Sequence, residues 1–125
     1  MKRKAAGPKD MSQELQGTGM DHEVALARVG GDAELLREIA DLFLDDYPNV
    51  LVELRAAAER GDAKAVERTA HSLKGSVANF GARSAVDAAF RIESMGRDRE
   101  LSEVAQVLQT LEVALAELRP ELEAL

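Results

Sequence analysis

The stretch LSEVAQVLQTLEVALAELRPELEAL, residues 101–125, carries the most regular pattern in the chain. Leu101, Val104, Leu108, Leu111, Leu115, Leu118, Leu122 and Leu125 recur at alternating spacings of three and four. That period holds an apolar edge on one side of an α-helix. Such a seam suits either a coiled-coil dimer or one helix of an intramolecular bundle. What decides between them is whether the rest of the chain offers partner helices. Pro120 is placed to bend this helix or to end it early.

Three partners are found upstream. Arg97-Asp98-Arg99 makes a polar connection, preceded by a helix expected from Ser84 to Gly96. Ser84-Ala-Val-Asp87 is its weak capping box, Gly96 its stop, and Val86, Ala89, Phe90 and Met95 its apolar contacts, with Met95 as core filling. The next helix back begins at Asp62 as N-cap and reaches about Phe80, where Gly81 terminates it. Asp32 caps a longer helix with Leu35, Leu36, Ile39, Leu42, Phe43, Val50, Leu51 and Leu54 on its apolar side, ending near Arg60. Pro48 falls inside it. The apolar pattern resumes in phase beyond the proline, so one helix kinked near Tyr47 is expected rather than two. A short helix over 21–29 starts at Asp21 and stops at Gly30-Gly31, with His22 read as a solvated surface residue.

Four substantial helices, no strand signal and short polar loops give an all-α fold: an up-and-down four-helix bundle with the short additional N-terminal helix packed across one end. Because three other amphipathic helices need a partner, the seam belongs to the bundle core and a monomer is expected. Residues 1–19 mix Lys, Gly, Pro, Gln and Ser without a period and read as a disordered tail or the remnant of an interdomain linker, leaving 20–125 as the domain.

The candidate chemistry lies on the third helix, in AHSLKGSVANFGA, residues 70–82. Val66, Ala70, Leu73, Val77 and Phe80 form one stripe toward the core. At about 100° per residue, His71 falls away from that stripe and shares a face with Lys74, Gly75 and Ala78. An exposed imidazole is largely neutral at neutral pH and can act as a nucleophile. Lys74 supplies a cation beside an anion formed on the ring, which a phosphoryl group would be. Gly75 costs roughly 1 kcal/mol relative to Ala inside a helix. Removing bulk there lets another protein approach His71 closely. Spacing alone fits a solvated surface histidine beside an incidental glycine equally well.

The run His71-Ser-Leu-Lys-Gly-Ser76, followed by Gly81-Ala82, resembles the His-x-x-Lys-Gly-Ser and Gly-Ala signature of histidine-containing phosphotransfer (HPt) domains of bacterial phosphorelays. Ala27-Arg-Val-Gly-Gly-Asp32 and Glu93-Ser-Met-Gly-Arg97 are similar to flanking segments of that family, so the resemblance spans roughly 20–120. Val77 departs from it, standing where many members have a second serine, on the buried stripe. The resemblance implies the same bundle and a phosphoryl carrier without independent turnover: His71 accepts a phosphoryl group from one receiver-domain aspartate, or from a sensor kinase, and passes it on. It implies Lys74 as the phosphate-side cation and Gly75 as clearance for the receiver. Arg68, Glu67, Ser76 and Ala78 are candidate partner contacts; for Arg68 and Glu67 a solvated charged face is the plainer reading. No cofactor is expected on this chain, because in the family the receiver supplies the Mg²⁺ and most of the electrostatics.

Two other functions fit the same residues. One is a helical interaction or dimerisation module built on the 101–125 seam, with His71 incidental. The other is the phosphotransfer domain of a chemotaxis-type histidine kinase. The dimerisation helix of a sensor kinase is set aside, since an acidic residue and a nearby proline characteristically follow its histidine, whereas Ser72-Leu73-Lys74 follows here.

Composition narrows the classes further. Sixteen Lys and Arg against 23 Asp and Glu give a net charge of −7, which argues against nucleic acid as a partner. No Gly-rich ATP loop, paired catalytic carboxylates or metal-ligand spacing is found. The chain has no cysteine, so disulfides and thiolate metal sites are excluded and a reducing compartment fits. No apolar run approaches the ~20 residues of a membrane span, and the N-terminus lacks a signal-peptide core. A cytoplasmic protein making no membrane contact is expected.

Overall fold

A computed structural model describes residues 19–125, so the tail expected at 1–19 lies, but for Gly19, outside the described residues. The chain forms five helices there: α1 (His22–Arg28), α2 (Ala33–Glu59), α3 (Ala63–Ala78), α4 (Arg83–Arg97) and α5 (Val104–Glu123). Among the described residues there is no strand. The first three helices start as the sequence predicts. Asp21, Asp32 and Asp62 each accept a hydrogen bond from the backbone N–H three residues on, at 3.2, 3.1 and 3.1 Å. Each satisfies one of the donors a helix start leaves unpaired.

Helices α2 to α5 pack in a closed ring, each against its chain neighbour and α5 back against α2. The short connections at 60–62, 79–82 and 98–103 make the neighbours antiparallel, giving the expected up-and-down bundle. The seam on α5 is spent inside it: Val104, Leu108, Leu111, Leu115, Leu118 and Leu122 are all buried. Phe43 stacks on Tyr47 at 5.2 Å and meets Phe80 at 5.6 Å, joining α2 to the end of α3. No described helix is long and apolar enough to cross a membrane.

Helix α1 closes one end. The Asp21 N–H donates to the Phe80 carbonyl at 2.9 Å, and the Met20 N–H to Glu121 Oε1 at 2.9 Å. Gly81 makes this possible. Its φ of +62° turns the chain out of α3, and a Cβ there would lie 2.6 Å from the Asp21 Cβ.

Both prolines inside helices are passed without a break. Pro48 and Pro120 are exposed, and α2 and α5 run through them. On an outer face water can take over the carbonyl that a proline ring leaves without its donor. Pro120 therefore does not end α5.

The expectations for α4 need most correction. It starts at Arg83, with Ala82 at the N-cap and no side-chain cap, so the Ser84–Asp87 box does not form. Its buried face is Ala85, Ala88, Ala89, Ile92, Glu93 and Gly96, while Phe90 is 48% exposed. The reason is size: α4 approaches its neighbours through small side chains, which a search for large apolar residues passes over. Gly96 does not stop the helix either. It is buried one residue before the end, against the backbone of α3.

Candidate functional site

Val66, Ala70, Leu73 and Val77 anchor α3 in the core and leave His71 on its outer face. The His71 side chain is 67% exposed. One ring nitrogen is nevertheless committed. Nδ1 lies 2.9 Å from Oε2 of Glu93, a carboxylate on the inner face of α4 and 4% exposed.

Two cations accompany that carboxylate. Lys74 Nζ lies 2.8 Å from Glu93 Oε1, an ion pair rather than a well-directed hydrogen bond, and 5.1 Å from the centre of the Phe90 ring. Arg97 Nη2 donates to Oε2 at 3.1 Å, so His71 and Arg97 share one oxygen. The Lys74 ammonium, and after it the His71 hydrogen bond, hold the Glu93 carboxyl below its usual range, while burial opposes them. Glu93 is therefore ionised near neutral pH.

An ionised carboxylate can only accept hydrogen bonds. It follows that Nδ1 carries the proton and donates a hydrogen bond to Glu93. In the neutral ring the lone pair then sits on Nε2, on the solvent side. The arrangement is an oriented, exposed nitrogen nucleophile backed by a buried anion.

The Hpt domain family model matches residues 38–124. The chain belongs to the Hpt domain family. Its fold is similar to the crystal structure of histidine-containing phosphotransfer protein B (HptB) from Pseudomonas aeruginosa PAO1, with a TM-score of 0.77 and 28% identity over 84% of this chain and 91% of that one. No curated protein sequence matches the chain. Hpt domains serve histidine phosphotransfer in two-component signalling, where they meet receiver domains and kinases.

Within this Hpt domain the residues singled out from sequence fall into two groups. His71, Lys74 and Gly75 share the outer face of α3. A Cβ on Gly75 would have no heavy atom within 4 Å, so the surface beside His71 is clear there. Arg68 is exposed and lines a cleft with Lys64, Glu67, His71, Ser72 and Glu93. Glu67 is only half-buried but already engaged, with Lys64 Nζ at 3.7 Å and Arg97 Nε at 3.6 Å. Ser76 is drawn off elsewhere: its hydroxyl donates to the Ser72 carbonyl at 3.2 Å, and it lines a groove between α2 and α3 with Leu42 and Phe43. Ala78 is half-buried nearly two turns beyond His71.

Glu93 and Arg97 are the residues that sequence reasoning missed. A signal was present: Ala89, Glu93 and Gly96 stand four and three apart on the buried stripe, and a carboxylate on such a stripe needs a partner.

Proposed function

We propose that this chain relays a phosphoryl group through His71, from one receiver-domain aspartate, or a sensor kinase, to another receiver. The observation that carries the reading is the exposed His71 ring whose Nδ1 is held by buried Glu93, inside the family's motif.

The lone pair on Nε2 attacks the phosphorus of an aspartyl phosphate. The N–P bond forms as the P–O bond of the acyl phosphate breaks, and the aspartate leaves as a carboxylate. The ring keeps its Nδ1 proton and becomes a phosphoimidazolium, whose positive charge the Glu93 carboxylate opposes at 2.9 Å. In the second half a receiver carboxylate attacks phosphorus, the N–P bond breaks, and the imidazole leaves neutral, its proton still on Nδ1 and hydrogen-bonded to Glu93. No proton has to be moved. Lys74 acts as a cation one turn from the phosphoryl group and holds Glu93 in place. Gly75 leaves the approach open. Mg²⁺ is held by the receiver in this reading, and the chain works as a cytoplasmic monomer. The α5 seam, being buried within the bundle, is not offered to a second copy.

The test is intact-mass analysis after mixing the protein with phosphorylated receiver domains and Mg²⁺. Gain of one phosphoryl group, labile in acid, stable in base and absent in His71→Gln, is the expected outcome. Failure of every receiver and of candidate kinases to load the protein would leave the interaction-module reading in its place.

A further inference from the structure

We infer that Gly96 is a positioning residue for phosphoryl transfer: its bare backbone contact with α3 sets the helix spacing that keeps Glu93 on His71 Nδ1. The kinetic consequence rests on the phosphoacceptor role proposed for His71, whereas the geometric consequence does not.

A Cβ built on Gly96 would lie 2.6 Å from the Glu67 backbone nitrogen, 2.9 Å from the Ala63 carbonyl oxygen and 2.9 Å from the Glu67 Cα. All are backbone atoms of one turn of α3, so no side-chain rotation relieves the clash and the helices themselves must separate. Glu67 precedes His71 by one helical turn, and Gly96 follows Glu93 by one. The contact therefore sits one turn from the Glu93–His71 hydrogen bond on both helices.

Glu93 has little slack with which to absorb a displacement. It is 4% exposed, its Oε1 is on Lys74 at 2.8 Å, and its Oε2 is on His71 at 2.9 Å. Lys74 and His71 both project from α3, so moving α4 outward stretches both contacts together. A hydrogen bond of 2.9 Å does not survive a displacement of about 1 Å. Gly75 makes the contrast: a side chain would find open space there, whereas at Gly96 it would strike backbone.

The direct readout is the tautomer of His71, from ¹⁵N shifts of its ring nitrogens with His22→Gln removing the other histidine. In the wild-type background the Nδ1–H tautomer is expected to dominate. Gly96→Ala should give a mixture of tautomers, as Glu93→Gln should, and the double variant should change nothing further. Phosphoryl uptake from potassium phosphoramidate, followed by intact mass, should slow about tenfold in each single variant and no more in the double. A folded Gly96→Ala protein with the wild-type tautomer, or a double variant whose losses add, overturns the inference. If Gly96→Ala does not fold, Glu93→Asp decides, because it withdraws the carboxylate by one methylene while leaving the glycine contact intact. Loss of the Nδ1–H preference there supports spacing as the determinant, and its retention overturns it. Should the wild-type protein take up no phosphoryl group from phosphoramidate or from receivers, the phosphoacceptor reading fails, while the tautomer result still judges Gly96.

Discussion

His71 and Glu93 divide one task between an exposed and a buried side chain, and their variants should part accordingly. His71→Gln removes the proposed nucleophile from a 67% exposed position, so phosphoryl uptake should vanish while stability stays within about 0.5 kcal/mol in a urea melt. Glu93→Gln should act on both. The amide no longer favours a ring protonated at Nδ1, and transfer should slow about tenfold. Lys74 and Arg97 lose their shared anion, though both keep access to water, so a stability loss of roughly 1–3 kcal/mol is expected. The Glu93 contribution also has a pH signature. Because Lys74, and then His71, depress its folded-state titration below the ordinary 4.5, the stabilisation is fully present above that value and is lost as pH falls through the folded one. Urea melts of wild type and Glu93→Gln should therefore differ by a constant amount near neutrality and converge in acid. A gap that persists unchanged at pH 3 would exclude the ion-paired carboxylate as its source. The outward placement of His71 followed from the α3 period, because an isolated helix fixes which face a residue takes. The Nδ1 contact could not follow from it, since it depends on how α4 is set against α3.

Elements were read from the sequence where large side chains or capping aspartates mark them, and misread where packing is made by what is missing. Asp21, Asp32 and Asp62 fixed three helix starts, and the leucines of α5 fixed its inner face. On α4 the inner face is mostly alanine and glycine, so the sequence pattern points to Phe90 as core and to Gly96 as a stop, and the fold makes neither so. A glycine has the same appearance in a sequence whether it ends a helix or lets two helices touch, and only the neighbouring backbone tells them apart. Gly81 is the opposite case, a terminator read correctly whose second duty, seating α1, was not visible. Gly81→Ala would force a side chain into φ +62° and against Asp21, and should cost about 1–3 kcal/mol. Hydrogen exchange should show the loss first at 22–28, through release of the Asp21 N–H from Phe80. Equal deprotection along the whole of α3 instead would mean that α1 is not a separately seated element.

At the scale of the whole molecule, charge is distributed against its own total. The chain carries −7, yet residues 63–99, which hold α3, α4 and the histidine face, set Lys64, Arg68, Lys74, Arg83, Arg91, Arg97 and Arg99 against Glu67, Asp87, Glu93 and Asp98, for +3. The acidic excess lies on the rest of the chain. In the proposed relay a phosphorylated receiver presents an anion at the bond to be broken, so this face would attract what the remainder repels and bias encounter toward His71. Such steering acts over about a Debye length, ~10 Å at 0.1 M salt, and fades as salt rises. The apparent second-order rate of phosphoryl transfer from a receiver should therefore fall several-fold between ~0.05 and ~0.5 M NaCl, although two proteins of net negative charge would be expected to associate faster with added salt. Arg68→Glu isolates the cause. Arg68 is exposed and forms no hydrogen bond or ion pair with Glu93 or the His71 ring among the described residues, so its reversal should lower the bimolecular rate and flatten the salt dependence. The first-order rate at saturating receiver should stay as it was. If that saturated rate falls instead while the salt slope is unchanged, Arg68 acts on the chemical step, and the basic face is not what brings the receiver in.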